Sequence, residues 1–267
     1  MDKSLKKGLQ RVIVVDSFNP GLTMEMMVDD HANFTGTNGA GKTTLMKMIP
    51  LFCGGTPANL MPRGGGKQTL TEYLLPRSTS LIVFEYRNHH GLNCAVVYRH
   101  ASGTKPAYRF LKSGFDVADF QELIDGKSYY VEGRNLGRHW SARGLTHSNQ
   151  LENVIDYRTV IQGDSFQAGQ SAYPREMSQL LALYSVSGKK NGMRHMELVT
   201  QVILNREANI ESIRTLLGDI MRENGLILPE SKLSRNLSED IKNLQTLRTL
   251  FMEADKFNRV VEISKQH

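Results

Sequence analysis

The sequence predicts an α/β protein with a mixed β-sheet, and three observations lead to that prediction. Runs of β-type residues separated by turn signals fill the first half of this chain of 267 residues. A glycine-rich segment, residues 36–41, lies between one of these runs and a helical pattern. After Pro174 the apolar residues recur at helical spacing instead.

The first elements follow from local residue types. "RVIVVDSF", residues 11–18, is rich in β-branched residues and predicts a strand that ends in an Asn-Pro-Gly turn. "LTMEMMVDD", residues 22–30, alternates apolar and polar residues, as an antiparallel strand with one exposed face does. "TTLMKMIPLF" predicts a helix that stops near Pro50.

Four more β-type runs predict an antiparallel meander: "SLIVFEYRN", "NCAVVYRH", "PAYRFLKS" and "SYYVEG". Between the last two, "DVADFQELI", residues 116–124, has an Asp N-cap and helical spacing, so we expect a helix there. A meander beside a glycine-rich loop favours a mixed sheet over a doubly wound parallel one.

The C-terminal part has a helical pattern, in segments that include "PREMSQLLALYSV", "RHMELVTQVILNRE" and "NIESIRTLLGDIMRE". The final segment carries two series of apolar residues with a period of seven: Leu237, Leu244, Phe251, and Leu247, Ala254, Val261. This stripe is compatible with an amphipathic helix packed on the domain or with the start of a coiled coil, and Asn258 at a core position favours the coiled coil. The expected divisions are a lobe at 1–173, a helical part at 174–230 and the base of an arm at 231–267.

The chain has a net charge of +6 and a pI near 9.3, which favours polyanionic partners such as nucleic acid. The alternative is that Lys and Arg are spread over a solvated surface, because no basic block with interleaved aromatic residues stands out.

Two further features bear on location. No apolar run approaches the roughly 20 residues that a membrane span needs, so no membrane partner is expected. The two cysteines, Cys53 and Cys94, have no metal-type spacing. We therefore expect a cytoplasmic protein with incidental thiols rather than a disulfide or metal site.

The segment from Gly36 to Thr43, "GTNGAGKT", fits the Walker A pattern G-x-x-x-x-G-K-[ST]. Its glycines allow successive backbone N–H groups to face phosphate oxygens, and the helix that follows presents further free N–H groups at its positive end. Lys42 is expected to reach the β- and γ-phosphates, and the Thr43 hydroxyl to ligate Mg²⁺. The pattern predicts an ATP site with Mg²⁺.

The residues around this loop resemble a known family. "GTNGAGKTT", with Asn38 before the last two glycines, is similar to the loop of ABC-type ATPases of the SMC and MukB class. "LMPRGGGKQTL" resembles the arginine loop of such heads, with Arg63 near nucleotide or DNA. "VIDYRTVIQGDSF" resembles their Q-loop, in which Gln162 would stand at a strand end and contact Mg²⁺ and the attacking water. For Arg63 and Gln162 the alternatives are a surface arginine and a polar strand-end residue.

The resemblance implies roles for particular residues. Lys42 and Gln162 would be catalytic, and Thr43 and Gln162 would hold the metal. The expected nucleotide contacts are Thr37, Asn38, Gly39, Ala40, Gly41, Lys42, Thr43, Thr44 and Arg63.

The resemblance also implies an architecture and partners. The chain would be an ABC-type P-loop NTPase lobe: a mixed sheet with an antiparallel meander, then a helical region and the start of a coiled-coil arm. No Walker B strand ending in Asp-Glu and no Leu-Ser-Gly-Gly signature is found, and in this class both follow the returning coiled-coil strand. Expected partners are therefore the C-terminal half of the same head, a second head in an ATP-dependent homodimer, DNA and kleisin-like accessory subunits. The expected setting is the nucleoid, in chromosome organisation, repair or defence against foreign DNA.

Two alternatives remain open. One is a self-contained P-loop kinase or AAA-type ATPase, although no acidic strand end completes its metal site. The other is an interaction module held together by nucleotide. His89 and His90 are expected in a solvated turn, and Trp140 in "GRHWSARG" is expected to be a structural anchor rather than a base-stacking residue.

Overall fold

The computed structural model describes residues 7–28, 42–60, 68–103, 105–188 and 193–204, together with Arg214 and Gly218. Within these ranges it leaves out the side chains of residues 42, 43, 45, 59, 70 and 201–204. The glycine-rich loop, Arg63 and the predicted arm at 231–267 lie outside the described residues. The chain divides into two compact units, Met1–Ser212 and Ile213–His267, and in the second unit Arg214 and Gly218 are helical.

A five-stranded sheet forms the centre of the first unit. Its strands are β1 (Gly8–Val15), β2 (Thr23–Met27), β3 (Leu81–Asn88), β4 (Gly91–Arg99) and β5 (Pro106–Leu111), in the order β2-β1-β3-β4-β5.

Every strand pairing in this sheet is antiparallel, so the described residues do not form the predicted mixed sheet. The short connections account for three of the four pairings, because a few residues can join antiparallel neighbours but cannot cross over to a parallel one. The tightest connection is the His89–His90 turn between β3 and β4. The first three strands of the predicted meander, β3 to β5, lie where the sequence predicted them, whereas the fourth run, "SYYVEG", is not part of this sheet.

A separate two-stranded hairpin follows β5, formed by β6 (Gln121–Ile124) and β7 (Lys127–Tyr130). Here the prediction of a helix over 116–124 is wrong beyond its first turn. Asp116 does cap a 3₁₀ turn, Val117–Phe120, but the chain then extends into β6. The reason is the Asp125-Gly126 pair, with φ of 50° and 75°, which forms the tight hairpin turn that Asp-Gly favours.

Eight α-helices complete the described fold. In chain order they are α1 (Lys42–Phe52), α2 (Pro57–Leu60), α3 (Leu70–Leu74), α4 (Leu136–Ala142), α5 (Val154–Gln162), α6 (Ser165–Gly169), α7 (Pro174–Tyr184) and α8 (Met196–Leu204). The helix predicted to stop near Pro50 continues to Phe52, because a proline in the last turn removes only one internal hydrogen bond. None of these helices is long and apolar enough to cross a membrane.

Most of the sheet, apart from the edge strand β2, is buried on both faces, which gives the first unit three layers. On one face Val12, Val14 and Phe84 belong to a core shared with helices α1, α5 and α7. On the other face Ile13 and Val83 belong to a second core, shared with the hairpin region and α4. The sheet is therefore a rigid platform that holds α1 on one side and α4 on the other.

Candidate functional site

The candidate nucleotide site lies at the N-terminal end of α1, which begins at Lys42. The first N–H groups of a helix have no partner within the helix and lie at the positive end of its dipole, so they attract an anion. Thr44, in the first turn, is half-buried. The helix start is thus where the Walker A pattern requires it.

Most of the predicted nucleotide contacts fall on residues that the structure does not describe in full. Residues 37–41 and Arg63 lie outside the described residues, and for Lys42 and Thr43 the backbone alone is described. In the described part of the chain no group of three His, Cys, Asp or Glu side chains is arranged to hold a metal ion.

Helix α1 is fixed to the sheet by its buried side. Met48, Leu51 and Phe52 are almost fully buried in the core beneath the sheet. The Phe52 ring lies against the rings of Phe84 and Tyr86, with centroid distances of 5.5 and 5.6 Å. Burial of side chains of this size contributes roughly 1.5–3 kcal/mol each, so α1 cannot shift without a substantial cost.

The C-terminal end of α1 closes in a Schellman motif. The Gly54 amide donates to the Leu51 carbonyl at 3.0 Å and the Gly55 amide to the Pro50 carbonyl at 2.8 Å. Gly54 has φ of +89°, in the left-handed region that glycine adopts without strain. A Cβ at Gly54 would lie 2.6 Å from Cβ of Arg158, so the chain also needs glycine here for close contact with α5.

Three side chains of α5 donate to the carbonyl groups at this end, and we name them the α1 clamp: Tyr157, Arg158 and Gln162. The Tyr157 hydroxyl donates to the Phe52 carbonyl at 2.9 Å, Nε of Arg158 to the Gly54 carbonyl at 2.8 Å, and Nε2 of Gln162 to the Cys53 carbonyl at 2.7 Å. These carbonyls lie at or just beyond the C-terminal end of α1, which is the negative end of its dipole, so a guanidinium group there is favourable.

Glu197 of α8 completes the network from the other side. It is only 4 % exposed. Its carboxylate accepts a hydrogen bond from Nε2 of Gln162 and forms an ion pair with Nη1 of Arg158 at 3.4 Å. Oε1 of Gln162 in turn accepts from the His195 amide at 3.1 Å. The Gln162 amide therefore uses its donor and its acceptor inside the protein.

This geometry corrects the prediction for Gln162. The residue ends a helix rather than a strand, it is 2 % exposed, and it contacts the end of α1 opposite to Lys42. About 15 Å of helix separates the two ends of α1, at 1.5 Å per residue. The structure does not bring Gln162 to the expected Mg²⁺ position, and it gives this side chain a structural partner instead.

The cysteines, the histidine pair and the tryptophan discussed from the sequence lie in the core or in a turn. Cys53 and Cys94 are buried free thiols, and burial raises the pKa of Cys53 to about 12. His89 and His90 form the exposed β3–β4 turn, with ring centroids 3.8 Å apart. Trp140 is fully buried in α4, and its indole N–H donates to the Asp119 carbonyl at 2.9 Å. Trp140 is thus an anchor, as the sequence predicted.

A family model matches most of the chain. The model of DUF3584, a family described as proteins of unknown function, matches residues 13–267, which is nearly the whole chain. That family is associated with RecF-, RecN- and SMC-like proteins. No curated protein sequence matches the chain.

Proposed function

Because the chain belongs to the DUF3584 family, we propose that it is the ATP-binding N-terminal lobe of an SMC-like ATPase head that acts on DNA. The observation that carries the proposal is the helix start at Lys42, directly after the Gly36–Gly41 loop of the Walker A pattern. A glycine-rich loop followed at once by a helix is the arrangement that binds β- and γ-phosphates.

The rigidity of α1 supports the proposal. Phosphate binding by backbone N–H groups works well only when those groups keep their direction before the ligand arrives, because ordering them later would cost free energy. Met48 and Leu51 hold α1 on the sheet, and the α1 clamp holds its far end. A fixed α1 keeps the direction of the N–H groups at Lys42 and Thr43, which supports the proposal that they bind ATP.

Hydrolysis requires more than this lobe offers. Phosphoryl transfer needs Mg²⁺ held by a carboxylate and a group that orients the attacking water. Neither a Walker B carboxylate nor a signature motif is found in the sequence. With Gln162 engaged at the far end of α1, no side chain on α5 is assigned to the water. The proposal is that a C-terminal lobe supplies these groups, and that Lys42, Thr43 and Arg63 act from this one.

The test is ATP binding and turnover by the purified chain, wild type and Lys42→Ala, with Mg²⁺ present or absent. A fluorescent ATP analogue measures affinity and phosphate release measures turnover. The matched control is Lys47→Ala, which removes the same side chain from the half-buried middle of the same helix. Loss of a lysine–phosphate contact is expected to weaken binding about tenfold or more, that is about 1.4 kcal/mol or more.

We expect weak, Mg²⁺-dependent binding that Lys42→Ala removes and Lys47→Ala leaves intact, with negligible turnover. Rapid phosphate release that depends on Lys42 would overturn the half-head proposal in favour of a self-contained P-loop enzyme. Equal binding by wild type and Lys42→Ala would overturn the nucleotide site itself.

A further inference from the structure

A stretch without any acidic residue lies around α4. Residues 133–151, "GRNLGRHWSARGLTHSNQL", contain Arg134, Arg138 and Arg143 but no Asp or Glu. Three arginines within these 19 residues place positive charge close together along the chain. This charge can act on a ligand only where the fold presents it on one surface.

The segment after α4 lies along the outer edge of β5. Isolated bridges join Tyr108 to Leu151 and Leu111 to His147, and the Lys112 amide donates to the Thr146 carbonyl at 2.9 Å. This contact brings Lys112, which is exposed, beside the acid-free segment. The edge of the sheet thus brings an exposed lysine next to this segment.

Side-chain contacts connect this segment back to α4. A ring nitrogen of His147, Nε2, lies 2.8 Å from the Ser141 hydroxyl of α4. Arg109 of β5 donates from Nη1 to the Ser148 carbonyl at 3.0 Å, and its guanidinium lies directly against Gly137. We name these residues, with their neighbours Arg138 and Lys112, the α4 surface: Arg109, Lys112, Arg138, Ser141 and His147.

The cations of the α4 surface have no carboxylate partner among the described residues. Arg109 bonds to the Tyr98 hydroxyl and the Ser148 carbonyl, and Arg138 to the Asn135 side-chain oxygen, all of them neutral groups. Nearby Arg134 and Arg143 are instead paired with Glu132 and Asp119. Positive charge that no carboxylate neutralises is what attracts a polyanion.

From this arrangement we propose that the α4 surface binds the phosphate backbone of duplex DNA. The proposal rests on the proposed function only in taking DNA as the polyanion. Arg, Lys, Ser and His side chains with backbone N–H groups are the usual phosphate contacts, and such contacts fix position without reading sequence.

Two observations favour duplex DNA over other polyanions. Trp140 is the one Phe, Tyr or Trp of residues 133–151 and it is fully buried, so this segment offers no platform on which single-stranded bases stack. The exposed large apolar residues of the described chain all lie outside 133–151, so the segment has little to insert into a lipid surface.

The experiment measures binding of the full chain to a fluorescein-labelled duplex by anisotropy over a series of salt concentrations. The test variant is Lys112→Gln with Arg138→Gln, and the matched control is Lys7→Gln with Lys105→Gln, which removes two exposed charges elsewhere. Both pairs alter exposed side chains, and equal thermal unfolding of all variants checks the fold. Each lost phosphate contact lowers the slope of log K against log salt by about 0.9, so the test variant should lose about 1.8.

We expect the test variant to weaken duplex binding at least about tenfold at low salt, with the control pair binding like wild type. Because ATP plays no part in this assay, a failed nucleotide proposal leaves its outcome unaffected. Unchanged affinity and salt slope in the test variant would overturn the proposal. So would tighter binding to a single strand than to the duplex. Binding of phosphatidylserine vesicles that the test variant loses, with duplex binding unchanged, would assign the surface to a membrane instead.

Discussion

One amide side chain, that of Gln162, connects three separate segments of the chain. It donates to the Cys53 carbonyl after α1 and to Glu197 of α8, and it accepts from the His195 amide. A buried polar group that loses such partners costs roughly 1–3 kcal/mol, and more where a charge is left alone. The stability of the α1 position therefore depends on this residue.

Gln162→Glu is expected to destabilise the protein by about 3 kcal/mol or more at neutral pH, because it places a second carboxylate beside buried Glu197. Protonation of the introduced carboxyl group relieves the repulsion, so the cost should shrink as the pH falls towards 5. Urea unfolding at both pH values measures it, with Gln167→Glu on exposed α6 as control. A cost that is equal at both pH values would contradict the assigned contact.

A second residue-scale prediction concerns Asp16, which follows β1 with φ of 44°. Burial opposes ionisation of its carboxyl group, but hydrogen bonds from the Gly21 amide, the Thr79 hydroxyl and the Arg77 guanidinium outweigh burial and lower its pKa. A lowered pKa means stability that is present above the unfolded value of about 4 and is lost as the pH falls below it.

Asp16→Asn should accordingly cost about 1–2 kcal/mol at pH 7 and progressively less below pH 4. Asparagine tolerates the left-handed conformation, so backbone strain does not enter. The control is Asp125→Asn, at an exposed position with φ of 50°. Chemical unfolding across pH gives the comparison, and an equal cost for both variants would refute the role of the Asp16 contacts.

At the scale of elements, the end of α1 sets how closely α1 and α5 approach. Gly54 and Gly21 both have positive φ, +89° and +72°, but a Cβ at Gly54 would meet Arg158 at 2.6 Å whereas a Cβ at Gly21 would meet nothing within 4 Å. The pair separates the effect of helix contact from that of backbone conformation.

Gly21→Ala should cost about 1 kcal/mol, from backbone strain alone. Gly54→Ala should cost about 3 kcal/mol or more, because the helices must also separate. Thermal unfolding of the two variants tests this difference. Similar costs would mean that α5 yields easily at this contact, and that α1 is held less firmly than its packing indicates.

The elements also reveal what the sequence could and could not predict. Strands such as β3 and β4 were predicted because their apolar runs and turn signals are local. Helix α5 has local signals, a cap at Asn153 and an end at Gly163 with φ of 70°, but its resemblance to a Q-loop predicts a strand end instead. The Asp125-Gly126 pair signals a hairpin turn while Asp116 signals a helix start, and the chain follows both signals in turn.

The contacts of the candidate site were harder to predict than its motif. The Walker A pattern identifies Lys42 from the sequence because its spacing is fixed. The α1 clamp depends on long-range contacts, such as Tyr157 with Phe52 and Gln162 with Glu197. No local spacing encodes contacts of that kind, so only the packed structure reveals them.

For the whole molecule, the three-layer arrangement predicts an uneven distribution of local stability. Strands β3 and β4 lie in the middle of the sheet with nearly all of their residues buried, whereas β2 and the β6–β7 hairpin are largely exposed. Amide hydrogen exchange should therefore be slowest in β3 and β4, and about a hundredfold or more faster in β2 and the hairpin. Uniform protection across these strands would contradict the layered core.

The strand order also has a consequence for how the molecule is assembled. Strands β1 and β2, β3 and β4, and β4 and β5 are each joined by short loops. The pairing of β1 with β3 instead joins Val15 to Leu81 across the whole segment that carries the Walker A pattern. Local hairpins close quickly, while a contact between distant residues must first overcome the entropy of closing a long loop. As the chain leaves the ribosome, the β1–β2 hairpin therefore forms before β1 can pair with β3. The segment with the Walker A pattern is therefore fixed at both ends only when β1 has paired with β3.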